Sequence, residues 1–464
     1  MKTRFVPIAW IEKEGCRLDC GPYLSGAIEA KLLLEKLPVT HPLCEVTFDG
    51  KEGVFHAGRE SRTWVEDLAY GVPFMSGSDM MLADLSRLSL ISKRRVAAVP
   101  KFIVRKDWTL ITRSGTIGRM VYSRPDMDEY ACSEDVLRVV PDESKILPGY
   151  LYAFLAGRYG LPMVVGGTYG AIIQHIEPEH VWDVPVPRLG PDREKFAHEL
   201  VNSAAEMRSA SRRITKAATA DLYKTFGFTA SLSLKNPMRF SAFLTHSSNL
   251  GRLDAHFHTP ACQQAATELS TCWPSIRHLN ETSRVFTPGI FKRIRVEDPQ
   301  YGYPYFSGSE LFEIVPQPRG ILSKKSPNIG DYVVRENWLL IQDAGQLGGL
   351  IGQITRVRPT SDSSVVSNHL MRVVPHDPRD AAFVYLLLNS QHGYLAILRH
   401  AFGTSIPQLD PVKVGDGVQI PWPEEHVRWK LGAPILESWQ LIDEADRKEA
   451  EAIAMVEKLI EEGC

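Results

Sequence analysis

No stretch of this 464-residue chain approaches about 18 uninterrupted apolar residues, so no membrane-spanning helix is expected. The opening residues MKTRFVPIAWIEKEG lack the apolar run of roughly 7–15 residues that a signal peptide needs. Seven cysteines, an odd number at irregular spacing, do not form a disulfide framework, and a cytoplasmic protein with reduced thiols is the expectation. Charge of one sign is missing too: 53 basic against 55 acidic residues leave a net charge of −2, which singles out no class of partner.

Catalytic signatures are equally scarce. There is no phosphate loop ending in Gly-Lys-Ser/Thr, which argues against a translocase. An adenine methyltransferase would carry an Asn/Asp-Pro-Pro-aromatic motif, and neither Asn236-Pro237-Met238 nor Asn328 after Pro327 qualifies. His256-x-His258 and the Cys16/Cys20 pair have no second pair to complete a four-ligand metal site. One enzyme pattern survives as the alternative. Pro125-Asp126 followed by Glu143-Ser144-Lys145 fits a loose metal-dependent nuclease signature, although Glu143 and Lys145 fall where a polar turn between a strand and a helix is expected.

What the chain does have is uneven charge and a long internal repeat. From Arg87 to Arg124 there are ten Lys/Arg against one acid, and from Glu424 to Glu462 eleven acids against five bases. A basic region for phosphates and an acidic region for protein partners would look like this. Arg17-Leu18-Asp19 recurs as Arg252-Leu253-Asp254, and GVPFMSGSDM from Gly71 as GYPYFSGSEL from Gly302. VRKDWTLITRSGTIG from Val104 matches VRENWLLIQDAGQLG from Val334, and LRVVP from Leu137 matches MRVVP from Met371. GTYGAIIQHIEP from Gly167 matches GTSIPQLDP from Gly403 with three residues lost. The offsets of 235, 231, 230, 234 and 236 are collinear, so a whole domain has been duplicated. Solenoid repeats, at roughly 20–50 residues, are far shorter.

Within each copy WTLITRSG and LRVV predict short strands, and Pro148 to Gly160 predicts a helix with its partner at Ala381 to Gly393. The Pro-rich exits VPVPRLGPD and IPWPEEH end each strand region and start a long helix. Phe196, Leu200, Ser203, Met207, Ala210, Ile214 and Ala217 alternate by four and three. Leu431, Ile435, Ser438, Ile442, Ala445, Glu449, Ala452, Val456 and Leu459 do the same. Two degraded heptad seams predict helices that pack on each other, with a kink or late start at Pro434. A helix of about 30 residues spans ~45 Å, more than one turn of DNA.

The expected architecture is α+β, with two tandem domains of mixed, mostly antiparallel sheet and flanking helices. Each is followed by a long helix, the two helices forming an antiparallel coiled coil. In chain order the domains are residues 1–190, a helix over 191–227, a linker over 228–250, a second domain over 251–423 and a helix over 424–464.

This order, together with RLDAHFHTP, GVPFMSGSDM, DWTLITRSGTIGR and IIQHIEPEHVWDVPVPRLGPD, resembles the specificity subunits of Type I restriction–modification enzymes over the whole chain. The chain departs from that family at the helix starts, where Arg193-Glu194 and Val427-Arg428 replace Glu-Gln, and in the second copy, where AGQLGG replaces SGTIGR. The resemblance implies a subunit with no catalysis and no cofactor of its own. Each domain would read one half of a bipartite, asymmetric site on double-stranded DNA. Two methyltransferase subunits would use S-adenosylmethionine to modify adenine N6, and a restriction subunit would use ATP and Mg where one is present.

Candidate DNA contacts in the first copy are Lys93, Arg94, Arg95, Lys101, Arg113, Arg119, Thr168, Tyr169 and Gln174, with His175 nearby. In the second copy they are Lys292, Arg293, Arg295, Lys324, Lys325, Gln346, Thr404, Ser405 and Gln408. Lys and Arg would set register on phosphates, and polar loop residues would reach base edges. A scaffold that binds only proteins is the remaining reading.

Overall fold

The structure is a computed structural model that describes residues 3–13, 16, 18, 21–166, 175–230, 232, 252 and 254–463. Contacts divide it into two compact units, residues 1–210 with 444–464, and residues 211–443.

The first copy contains β1 (Thr40–Pro42), β2 (Val54–Phe55), β3 (Trp64–Val65), β4 (Gly71–Met75) and β5 (Ser89–Ser92). It continues with β6 (Thr109–Thr112), β7 (Met120–Tyr122), β8 (Ala131–Cys132), β9 (Val136–Val139) and β10 (Pro185–Pro187). The second contains β11 (Ile276–His278), β12 (Ser283–Phe286), β13 (Arg295–Val296), β14 (Gly302–Phe306) and β15 (Gly320–Ser323). Then follow β16 (Leu339–Gln342), β17 (Ile354–Arg356), β18 (Val365–Val366), β19 (Leu370–Pro375) and β20 (Gln419–Pro421).

Both copies form a larger sheet (β2-β9-β6-β7; β12-β19-β16-β17), a smaller one (β3-β5-β4-β8; β13-β15-β14-β18) and a two-stranded ribbon (β1-β10; β11-β20). All pairings are antiparallel except β4 with β8 and β14 with β18. The duplication read from five short matches is thus a duplication of topology, strand for strand. The segments TLIT and LLIQ become the central β6 and β16, which are buried almost throughout and paired on both sides.

Helix α1 (Ala27–Leu34) precedes the first ribbon, and α2 (Pro148–Ala156) and α3 (Gly160–Gly166) follow the larger sheet. The expected helix over Pro148 to Gly160 ends at Ala156, and a second begins at Gly160. Gly160 marks the break, where a Cβ would lie 2.3 Å from the Phe154 carbonyl oxygen. Helix α4 (Pro191–Phe226) closes the first copy. In the second, α5 (Pro260–Thr271) precedes the ribbon, and α6 (Ala381–Asn389) and α7 (Gln391–Leu398) repeat the broken pair. No single described helix is long and apolar enough to cross a membrane; the apolar α6–α7 region bends by 78° and is buried in the core. Helix α8 (Glu425–Glu462) ends the chain.

In the second copy Arg252, Asp254 and His256 have a structural role. Arg252 pairs with Asp254 and donates to the carbonyls of His400 and Ala401, while His256 bonds the Leu398 carbonyl, so the motif caps the C-terminus of α7. His400, beside this cap, is buried, and burial with Arg399 and Arg252 pushes its imidazole down to about 4. The unfolded chain binds this proton near the ordinary value of 6.5, so His400 contributes stability above that pH and loses it as pH falls toward 4. We expect urea unfolding of the native chain to lose about 3 kcal/mol more over that window than a His400→Gln chain does. Parallel pH profiles would remove the imidazole as the cause.

Helices α4 and α8 pair antiparallel: Arg208 meets Asp446 and Glu449, and Ser211 and Thr215 meet Ser438. The buried line on α4 runs through Ala197, Val201, Ala204, Arg208, Ser211, Ala218 and Leu222. This is one residue C-terminal to the predicted seam; Phe196 stands 48% exposed. On α8 the predicted seam holds through Val456 except at the half-buried Ile442, and it ends on Ile460 rather than Leu459. The late start at Pro434 does not occur, because α8 begins at Glu425. Proline forfeits one intrahelical bond there, and burial of Leu431, Ile435 and Trp439 offsets it.

Candidate nucleic-acid interface

Two surfaces of each copy carry the residues singled out by sequence. The first is the hairpin loop after β6 (or β16) together with the loop before the ribbon. In the first copy the Ser114 backbone bridges His175 and the Ile176 N–H donates to the Arg113 carbonyl at 3.1 Å. In the second, Ala344 bridges Gln408 and the Leu409 N–H donates to the Asp343 carbonyl at 2.7 Å. These bonds align the copies residue by residue, so Arg113 corresponds to Asp343 and His175 to Gln408.

Gln346, Thr404, Ser405 and Gln408 are brought together as expected, all exposed, with Gln346 Nε2 donating to the Ser405 carbonyl at 3.0 Å. Leu347 and Ile406 are also exposed here, a feature that polarity-based reasoning passed over. Thr168, Tyr169 and Gln174 lie outside the described residues.

The base of this cluster differs in charge between copies. Arg113 is 13% exposed and held in an ion pair with Glu177, whose other oxygen lies 3.4 Å from His56. Its guanidinium is therefore turned to a carboxylate, not left free for a phosphate. Burial first, then the Arg113 charge, lowers the pKa of His56 despite Glu177. In the second copy Asp343 is buried and lies 3.3 Å from His369. Burial raises its carboxyl to about 6, with His369 opposing the shift. Arg119 is half-buried, and its N–H bonds Thr112 Oγ1 at 2.9 Å.

The second surface is the smaller sheet. Lys93 and Arg94 are exposed at the start of the short helix Lys93–Ala98, and Arg95 turns back to Glu60 and the Ser61 carbonyl. Lys101 is exposed beside Phe55, 5.9 Å from the ring centroid. In the second copy Lys292, Arg293, Arg295, Lys324 and Lys325 are exposed around β13 and the end of β15. Arg293 also packs over Phe291 and Tyr305, 5.6 and 5.3 Å from the ring centroids.

The nuclease pattern does not assemble. Asp126 accepts from Arg124 Nε at 2.9 Å and from Ser209 at 2.7 Å, and Lys145 pairs with Asp142 at 3.0 Å. Among the described residues no three His, Cys, Asp or Glu side chains are placed to share a metal ion.

No protein-family model and no curated protein matches the sequence. Three solved structures are similar at low values. A Type-I restriction-modification system S subunit from M. genitalium gives TM-score 0.35 and 12% identity over 92% of this chain and 95% of that one. An HsdS subunit from Thermoanaerobacter tengcongensis gives 0.29 and 13% over 92% and 96%. A structure described as showing complex assembly and conformational transition of the type I R-M system gives 0.27 and 14% over 92% and 97%. Values of this size leave the functional argument to the geometry of the chain itself.

Proposed function

We propose that this chain is the non-catalytic DNA-sequence-recognition subunit of a Type I-like restriction–modification assembly. Each copy reads one half of a bipartite, asymmetric site, and α4 and α8 serve as the spacer. Two partner methyltransferase subunits, which hold S-adenosylmethionine, methylate adenine N6 at that site; a restriction subunit with ATP and Mg joins where one exists. The observation that carries this reading is one topology built twice with different loops after the central strand, SGTIGR in the first copy against AGQLGG in the second. A duplicated fold keeps the docking geometry, while differing loop chemistry suits two different half-sites.

The test is to map N6-methyladenine in cells carrying the chain and its neighbouring methyltransferase, then to delete this chain alone. One bipartite, asymmetric motif should vanish; an unchanged methylation map removes the targeting role. For the complex on that motif, six to ten phosphate contacts predict an affinity loss of about 10³–10⁵ between roughly 50 and 200 mM salt. Binding that ignores salt would contradict a phosphate-dominated interface.

A further inference from the structure

The stretch where the copies agree best lies apart from the loop cluster. Residues 65–79 (VEDLAYGVPFMSGSD) and 296–310 (VEDPQYGYPYFSGSE) share nine of fifteen residues, in a chain that elsewhere repeats itself only in fragments. Both segments build the same turn ahead of β4 and β14. Asp67 Oδ1 accepts from the Ala69 N–H, and Asp298 Oδ1 accepts from the Gln300 N–H, each at 2.8 Å. The Lys93 ammonium donates to the Ala69 carbonyl at 2.9 Å and the Lys324 ammonium to the Gln300 carbonyl at 3.0 Å. The backbone N–H of each lysine donates to the carbonyl of the following turn residue, Tyr70 or Tyr301, at 2.9 Å. Glycine follows each tyrosine because a Cβ would lie 2.7 Å from Leu90 Cβ or 2.2 Å from Ile321 Cγ2.

All of this fixes the backbone of a side chain that adds little to the fold. Tyr70 is 69% exposed and Tyr301 59% exposed. Beside each clamping lysine stands a second exposed base, Arg94 or Lys325. The tip acids Asp67 and Asp298 are spent on the turn, and Glu60 is spent on Arg95. Against the exposed Glu66 and Glu297 remain Lys93 and Arg94 in one copy, and Arg295, Lys324 and Lys325 in the other.

A surface kept alike in two diverged copies serves what both halves have in common. Two different half-sites share no base sequence; they share the sugar–phosphate backbone. Resting on the DNA-recognition reading above, we propose that Tyr70 and Tyr301, with Arg94 and Lys325 beside them, are equivalent sequence-independent anchors. Each hydroxyl donates to a phosphate oxygen while the base neutralises it. Discrimination then belongs to the other surface, where the loop SGTIGR is answered by AGQLGG.

The test uses the full chain and a random-sequence duplex, with binding followed by fluorescence anisotropy at low salt. Tyr70→Phe and Tyr301→Phe, which keep the ring, should each weaken binding roughly tenfold. Arg94→Ala and Lys325→Ala should each reduce the slope of log affinity against log salt by about one. In cells, the tyrosine variants should lower the extent of methylation and leave the methylated motif unchanged. Unchanged DNA affinity overturns the proposal, and more so if the methyltransferase subunit no longer co-purifies, because the tip is then a protein-docking surface. A changed motif also overturns it, because the tyrosines would then be reading bases. Failure of the parent reading looks different: deletion of the unaltered chain would leave methylation as it was.

Discussion

Arg208→Ala should destabilise the unit built from residues 1–210 and 444–464 by about 3–5 kcal/mol, read as a lower urea midpoint. The guanidinium is 5% exposed in the seam between α4 and α8, 2.9 Å from Asp446 and also paired with Glu449. Glu449 additionally accepts from the Tyr152 hydroxyl. Removing the cation leaves two carboxylates in a place with little water and a phenol as the remaining donor. Replacing all three ionic residues together, as Arg208→Met, Asp446→Leu and Glu449→Leu, should come within about 1–2 kcal/mol of the native chain or exceed it, because the desolvation cost disappears with the charges. A single variant that unfolds like the native chain at pH 7 would mean that the seam is open to water.

The same arginine explains where sequence was a poor guide. A seam search follows apolar residues, and on α4 the apolar alternation lies one residue away from the buried line because Arg208 and Ser211 occupy it. Their partners Asp446, Glu449 and Ser438 lie more than 220 residues further along, beyond the reach of any local periodicity. On α8 the buried line is mostly apolar, and its seam was legible through Val456. The duplication was legible because whole motifs recur. It could not reveal that the repeated strands sort into two sheets and a ribbon, since strands of two to six residues carry no signal of which neighbour they join. The loop cluster was half legible: Gln346, Thr404, Ser405 and Gln408, picked out as polar loop residues, lie together in the structure. Arg113 was grouped as a free base because its partner Glu177 sits 64 residues away. Tyr70 and Tyr301 fall outside the candidate contacts, since no local signal marks an aromatic residue just ahead of a strand as exposed.

Arg138→Met and Arg372→Met should each cost about 3 kcal/mol or more, and on the proposed DNA-recognition reading each should damage one half-site only. Both arginines come from the repeated LRVVP/MRVVP segment, and both are fully buried, with no carboxylate among the partners that hold the guanidinium. Arg138 donates to the carbonyls of Ser133, Val136, Cys132 and Phe102 at 2.6–3.4 Å. Arg372 donates to those of Ser367, Leu370 and Val366 at 2.5–3.3 Å. Burial lowers the pKa of each, and for Arg372 the value falls only to about 10, so that guanidinium stays charged at neutral pH. The acceptors explain the role. Arg138 projects from β9 of the larger sheet and reaches Cys132 in β8 of the smaller one, and Arg372 of β19 reaches Val366 in β18 in the same way. Within each copy one planar fork therefore joins the sheet bearing the loop cluster to the sheet bearing the tyrosine tip. Methionine fills the volume but leaves buried carbonyls without donors. Lysine should recover less than half of the loss, because a single ammonium cannot span both groups of oxygens. Amide hydrogen exchange in β8 and β9 should rise in Arg138→Met and stay native in β18 and β19, with the reverse for Arg372→Met. If the two sheets must hold their contacts on one stretch of duplex, Arg138→Met should relax the methylated motif in the half read by the first copy and leave the other half intact. Equal relaxation of both halves would show that the join serves overall stability and not the geometry of a single reading head.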